Sequence, residues 1–381
     1  MEYRSIGDTG LEASVLGIGT MRFKGVENAT EVIQRALDLG LNYLDCGSAY
    51  SFKDDQENAE AWTGRAIQGR KRETMILSAK AQPRSVHAMV DKHLGIHTRD
   101  QMWQCIENSL RRLGVEYLDF YQFWDLSAEE HYQTACVGQN APWRAMLEAQ
   151  DQKLVRHLGI TTHAAPRDIM SFIERTPELR FITVYYNFAK RQVEPAIEYA
   201  HEHQLGVAVM GPLYGGLLTG RSPVLSREGK GLVRASVQEL AFNFLCDNEC
   251  ITTCLGGMNS LFHLEENIEI VDRFVSMNQD ERHQFRAACQ EFNEVEALCS
   301  GCLYCENACP QNLQIHQLMN CYQIREIFRL DTMNARLAQM KTSGQPNLDT
   351  CTACGICTER CPQNLPIADR IKVLSEILKS L

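Results

Sequence analysis

Cys299, Cys302, Cys305 and Cys309 follow one another as C-x2-C-x2-C-x3-C, and Pro310 comes next. Cys351, Cys354, Cys357 and Cys361 repeat that spacing, again with a proline, Pro362, behind the last. Soft thiolates at these intervals hold [4Fe–4S] clusters, and in two-cluster proteins the fourth cysteine of each run ligates the other cluster. The expected ligand sets are therefore Cys299, Cys302, Cys305 and Cys361 for one cluster, and Cys351, Cys354, Cys357 and Cys309 for the second. Zinc takes four ligands, commonly as C-x2-C twice, and would leave half of these thiols idle. Disulfides would not explain two runs so alike down to the trailing proline. Two one-electron carriers are the reading that uses every cysteine of both runs.

A second constellation consists of Asp45, Tyr50 and Lys80. Asp45 stands at the end of one short apolar run with Tyr50 five residues on, and Lys80 closes the next run. In a barrel of parallel strands, catalytic side chains sit at the C-terminal strand ends. An ammonium beside a phenol favours the phenolate, which is expected to lower Tyr50 from about 10 toward a usable general acid. Asp45 would hold the position and the charge of Lys80. Taken singly, an Asp at a strand end caps a turn and a Tyr packs; the three in this order point to proton chemistry.

The elements that must position these groups are legible as apolar runs. Eight occur before residue 275: Ser14–Thr20, Asn42–Cys46, Met75–Lys80, Tyr117–Trp124, His157–Thr162, Phe181–Asn187, Gly206–Pro212 and Cys250–Gly257. Continuous runs, rather than strict alternation, suit strands covered on both faces of a parallel sheet. Between them lie helical periods, such as Val32, Ile33, Ala36 and Leu37, stopped by Gly40. Eight such units predict an α/β fold, a (β/α)8 TIM barrel over residues 1–275, preceded by a hairpin turning at Gly7-Asp8-Thr9-Gly10. The stretch Gln279–Leu298 is expected to be a helix leading to the cysteine runs. Ile315, Leu318, Met319 and Tyr322 repeat at helical spacing between the runs, and Ser343-Gly344-Gln345-Pro346 reads as the loop before the second run. Residues 276–381 are therefore expected to form a mainly helical ferredoxin-like domain.

Composition bounds the function classes. At 381 residues about two domains are expected. A formal net charge of -10 argues against nucleic acid or an anionic membrane as partner, since both need a basic face. The N-terminal residues carry no basic segment followed by an apolar core, and no run of about 18 apolar residues occurs, so neither a secretory signal nor a membrane span is expected. Half of the 16 cysteines belong to the two runs, which suits a reducing, cytoplasmic setting. The other eight, Cys46, Cys105, Cys136, Cys246, Cys250, Cys254, Cys289 and Cys321, show no ligand spacing and read as structural thiols.

The segments NYLDCGSAYS, MILSAK, VEYLDFYQFW, HLGITTH, GPLYGGLLTG and GGMNSLFHLEEN resemble, in order and spacing, the strand-end motifs of the aldo-keto reductase family over residues 1–275. The cysteine region resembles the ferredoxin-like domain fused to one branch of that family. The resemblance implies a nicotinamide-dependent carbonyl reductase in which Tyr50 protonates the developing alkoxide, tuned by Lys80 and Asp45. Where the family has a catalytic His at the fourth strand, this chain has Trp124, whose indole N–H donates a hydrogen bond but exchanges no proton near neutral pH. Trp124 either reshapes the pocket and its reaction or simply packs. His131, seven residues on, would supply an imidazole if its loop folds back, and His163 would line the pocket.

The resemblance also implies the dinucleotide contacts. Thr161 and Thr162 stand where the family has Ser-Asn, Thr183 where a Gln is usual, and Met210 in place of the aromatic that stacks on the nicotinamide. Gly211, Pro212, Leu213, Tyr214, Gly215, Gly216 and Leu217 would approach the pyrophosphate, with Gly257, Met258 and Asn259 from the last strand end. Glu266 and Asn267 match the adenine-contacting pair. No Lys or Arg occurs from Leu255 to Asn267 to hold a 2′-phosphate, which leans toward NAD or leaves His263 to help.

Nicotinamide passes two electrons as hydride and each cluster passes one, so exchange between them wants a one-electron-tolerant group such as a flavin, for which no motif is present. Three readings follow. The chain is a reductase or dehydrogenase of a small carbonyl or alcohol with auxiliary clusters; or it is an electron-transfer protein serving a ferredoxin-like redox partner; or its barrel is a silent, redox-responsive module.

Overall fold

Strands covered on both faces need uninterrupted apolar side chains, and each of the eight runs forms one strand of a closed barrel. The computed structural model describes residues 1–81, 97–216, 218–219, 236–283, 287, 299, 305, 308–326, 348–361 and 365–380. Strands β1 (Tyr3–Ser5) and β2 (Glu12–Ser14) make the expected hairpin, with Tyr3 opposite Ser14. The barrel follows as β3 (Leu16–Gly19), β4 (Tyr43–Asp45), β5 (Ile76–Ala81), β6 (Leu118–Phe123), β7 (Val155–Thr162), β8 (Leu179–Tyr185), β9 (Gly206–Met210) and β10 (Thr253–Gly256). Neighbouring strands are parallel, and β10 closes onto β3.

Helices cover the outside because their apolar stripes match that surface. The helix Val26–Asp38 buries Ala29, Val32, Ile33 and Ala36. The helix Arg99–Leu113 begins at a capping box, the Thr98 hydroxyl accepting from the Gln101 N–H while the Gln101 side chain returns to Thr98. Inside, the N-terminal end is filled by rings: Tyr43 lies 5.7 Å from Phe181, and Phe120 lies 4.7 Å from Phe181. Ile6, from the hairpin turn, belongs to the same buried layer and lies where a Cβ on Gly206 would come within 2.3 Å of it. The aromatic floor leaves the polar strand-end residues to the opposite, C-terminal mouth.

Register stacks those residues across strands. Asp45 is level with Ser78, Lys80 with Gln122, Gln122 with Gly159, Thr161 with Thr183, and Tyr185 with Met210. The chain divides into two compact units: Met1–Pro212 with Phe242–Ser276, and Leu213–Ala241 with Met277–Leu381. In the second, the helices Ile315–Glu326 and Ile367–Ser380 pack together over a buried group that includes Leu318, Met319, Ile371 and Leu374. Among the expected features, Leu217, Cys302, Pro362, the Ser343–Pro346 loop and most of the Gln279–Leu298 stretch lie outside the described residues. No helix among the described residues is long and apolar enough to cross a membrane.

Candidate functional site

Asp45 and Lys80 reach the barrel mouth because each is placed at the C-terminal end of its strand. Lys80 Nζ donates to Asp45 Oδ2 at 2.5 Å, and both side chains are 3% exposed. The ammonium lies 5.5 Å from the centroid of the Tyr50 ring and 5.4 Å from that of Trp124. Tyr50 and Trp124 meet edge to face, centroids 5.1 Å apart at 67°. The sequence-predicted quartet of Asp45, Tyr50, Lys80 and Trp124 is thus gathered at one place. Gly47 makes the gathering possible, because a Cβ there would come within 2.8 Å of the Trp124 ring and 3.0 Å of the Tyr50 ring.

Burial works against the Lys80 ammonium, but Asp45 and Tyr50 outweigh it and hold Lys80 above its ordinary value. For Tyr50 the balance falls the other way from the sequence expectation. Burial of the phenol is the largest influence and raises its pKa, while Lys80 lowers it by less. The net direction is upward, so Tyr50 stays a protonated phenol. The expectation of a lowered Tyr50 considered its charged neighbour and missed the loss of water.

Beneath this group lies a residue the sequence reading passed over. Gln122 on β6 donates from Nε2 to Asp45 Oδ1 at 3.3 Å and to Ser78 Oγ at 2.7 Å. Thr183 donates its hydroxyl to Gln122 Oε1 at 2.7 Å. The signal was present as a neutral amide inside an otherwise apolar strand.

The expected nicotinamide contacts divide. The Thr162 hydroxyl donates to the Leu126 carbonyl at 2.7 Å and accepts from the Ala164 N–H at 3.0 Å; Thr161 accepts from the Asp125 N–H at 2.9 Å. Both hydroxyls are engaged in pinning the turn that follows Trp124. Thr183 is fully buried, its hydroxyl given to Gln122 Oε1. Met210 is partly exposed at the end of β9. Beside it the Tyr185 ring occupies the space a Cβ on Gly211 would need, at 2.4 Å. Gly211, at φ +71, therefore admits the ring and the turn together.

Pro212 ends the first unit, and Leu213 opens the second. There the Leu213 carbonyl accepts from the Gly216 N–H at 2.8 Å, with Gly215 and Gly216 at φ 68° and 93°, conformations that suit glycine. Tyr214 is buried, and its hydroxyl donates to the carbonyl of Cys299, also in the second unit.

At the far end of the proposed dinucleotide track, Gly257 is exposed and Met258 buried, while Asn259 donates to the Arg22 carbonyl at 3.5 Å. The stem of Arg22 lies where a Cβ on Gly257 would be, 3.0 Å from its Cγ. The stem of an exposed arginine thus runs beside a segment that has no Lys or Arg of its own. His263 lies 3.2 Å from Asn259 Oδ1, Glu266 is partly exposed and Asn267 is buried in the helix Leu261–Asp272. His131 faces back on its own turn, its Nδ1 accepting from Ser127 N–H at 3.3 Å. His163 is exposed, with its ring 6.1 Å from Tyr185.

In the second unit, Cys309, Cys351, Cys354 and Cys357 line one cavity whose other walls include Pro310, Leu313, Ile315 and Ile371. Its lining holds no charged side chain. Four soft donors in an apolar setting are the donor set of an iron–sulfur cluster. Cys299, Cys305 and Cys361 are buried in the same apolar group. Among the described residues no three His, Cys, Asp or Glu side chains converge on a single ion, and the described cysteines are free thiols. Cys46 is fully buried and pushed up to about 12 by that burial, which leaves it an inert thiol.

Residues 15–288 match the model of the aldo/keto reductase family, and residues 298–366 match that of a 4Fe-4S dicluster domain. The chain is similar to the aldo-keto reductase YhdN of Bacillus subtilis, 30% identical over 58% of this chain and 65% of that protein. It is 25% identical to the L-galactose dehydrogenase of Arabidopsis thaliana over 78% of this chain and 94% of that protein. Among solved structures, the holo form of aldo-keto reductase AKR11C1 from Bacillus halodurans superposes with a TM-score of 0.63 at 24% identity, covering 76% of this chain and 96% of that one. That last likeness bears on the fold.

Proposed function

The chain belongs to the aldo/keto reductase family, and from that premise we propose that it is an NAD(P)-dependent oxidoreductase interconverting a small-molecule carbonyl and its alcohol. The observation that carries this reading is the buried Asp45–Lys80 pair beneath Tyr50 at the barrel mouth. A bound nicotinamide supplies or accepts hydride at the carbonyl carbon. Tyr50 gives its phenolic proton to the carbonyl oxygen, and Lys80 stabilises the phenolate left behind. Trp124 takes no proton; its indole N–H can donate to the oxygen, and its bulk narrows the space over Tyr50. The test is to add NADH or NADPH to anaerobically purified, cluster-loaded protein with a panel of aldehydes and ketones. Carbonyl-dependent nucleotide oxidation is expected, and its absence across the panel would remove the reading.

Arg22 changes the expectation about the nucleotide. With the stem of the exposed Arg22 beside Gly257, its guanidinium is within reach of a 2′-phosphate bound there, which offsets the lean toward NAD. Arg22→Met is expected to weaken NADPH about five- to tenfold while leaving NADH within twofold, on the scale of a charge-assisted hydrogen bond. Parallel titrations by nucleotide fluorescence decide it; equal losses for both nucleotides would return the preference to the sequence reading.

The dicluster match and the thiol cavity support two [4Fe–4S] clusters, held by the two crossed sets of cysteines. They favour a second reading, electron transfer to or from a redox partner protein, because a hydride donor does not itself need a one-electron carrier. The same anaerobic sample separates the two. Bleaching of the cluster absorbance by NAD(P)H alone would connect clusters and nucleotide, whereas carbonyl turnover without bleaching assigns the clusters an auxiliary role. Free thiols throughout the described chain fit the cytoplasmic setting.

A further inference from the structure

We propose that Gln122 is a positioning residue of the reaction, holding the Asp45 carboxylate so that Asp45 in turn holds Lys80 under Tyr50. The inference rests on the reading of Tyr50 as proton donor. Gln122 is fully buried, so it touches neither substrate nor nucleotide. Its orientation is determined by its neighbours: a carboxylate only accepts, so the amide N–H2 must face Asp45, which leaves Oε1 to accept from Thr183. The two oxygens of Asp45 are then divided, Oδ2 to Lys80 at 2.5 Å and Oδ1 to Gln122 at 3.3 Å. Nε2 also meets Ser78 Oγ at 2.7 Å, so the amide is held from β5 and β8 as well as offered to β4. The barrel is cut to fit it. Gly159 is level with Gln122 on β7, and a Cβ there would come within 2.9 Å of Gln122 Cγ.

A polar residue that merely filled this space could be replaced by an apolar one of like volume with little consequence for proton chemistry. A residue that orients Asp45 cannot. Gln122→Leu removes the donor and is expected to lower kcat about 10- to 100-fold, on the scale of a hydrogen bond to a charged group, with KM within twofold. Gln122→Glu is the informative companion. While its carboxyl is protonated it donates to Asp45 as the amide does; once ionised, it sets a second negative charge against Asp45 and repels it. Activity of Gln122→Glu is therefore expected to approach the wild type at low pH and to fall on a new limb as pH rises, one the wild type lacks.

Stability gives a readout free of the reaction. Burial beside Asp45 raises the new carboxyl above its unfolded value of about 4.3. The folded state then binds the proton more tightly, so stability is lost as pH rises from that value toward the raised one. The experiment compares kcat, KM and melting temperature from pH 5 to 9, on cluster-loaded wild type, Gln122→Leu and Gln122→Glu. A new alkaline limb, with a melting-temperature deficit that grows with pH, supports the assignment. Profiles of Gln122→Glu parallel to wild type in both measurements, or Gln122→Leu within twofold in kcat, overturn it. Should wild type reduce no carbonyl, the reading of Tyr50 fails separately, and the melting profiles alone decide whether Gln122 bears on Asp45.

Discussion

Tyr50→Phe is expected to lower carbonyl turnover by about 10²- to 10⁴-fold, the range over which a positioned general acid acts, while nucleotide binding stays within twofold. The substitution removes only the hydroxyl. The ring keeps its edge-to-face contact with Trp124 at 5.1 Å and its seat over Gly47, so loss of activity would report proton transfer rather than packing. Trp124 sharpens the test, since its indole cannot deliver a proton in place of Tyr50. The pH profile gives a second check. The donor is the protonated phenol, and burial raises its pKa more than Lys80 lowers it. Reduction is therefore retained through neutral pH, and the limb due to Tyr50 falls only as pH rises beyond the ordinary range of a tyrosine phenol. Steady-state kinetics over that range would decide it. Turnover by Tyr50→Phe at the wild-type rate would move the proton to another group, and a limb near neutrality would mean that the phenol is not the donor.

The barrel was legible because its strands are covered on both faces, so each of eight apolar runs marked one strand to within a few residues at either end. What periodicity could not supply was direction and register. Asp119 and Gln122 both interrupt the run Tyr117–Trp124 with polarity, yet three positions along a strand point to opposite faces. Asp119 takes Arg72 at 2.6 Å and Arg156 at 3.0 Å, whereas Gln122 takes Asp45. Only the register of β6 against β5 separates the two roles. The turn at Asp125–Leu126 folds back onto the hydroxyls of Thr161 and Thr162, and no local pattern announces that return. Arg22 is likewise far in sequence from Gly257 and comes beside it because β10 closes onto β3. The Tyr50 direction was misjudged for a related reason: a neighbouring charge can be guessed from spacing, but burial belongs to the assembled mouth.

Cys309→Ala is expected to cost the protein one cluster of two, lowering iron from about eight to about four atoms per chain. The reason for placing this loss in the second set is geometric. Cys309 belongs to the first run by sequence but lines a cavity with Cys351, Cys354 and Cys357 of the second. Leu313, Ile315 and Ile371 form its apolar walls, and no charged side chain in the lining competes with the thiols. A single variant does not separate crossed from uncrossed ligation, since each removes one cluster. Pairs do. If Cys309 serves the second set, Cys309→Ala with Cys357→Ala strikes the same cluster twice, and iron stays near four atoms per chain. Cys309→Ala with Cys305→Ala then strikes both clusters, and iron falls toward zero. Uncrossed ligation reverses the two results. Iron content and visible absorbance on anaerobically prepared protein read the difference directly, independent of any substrate.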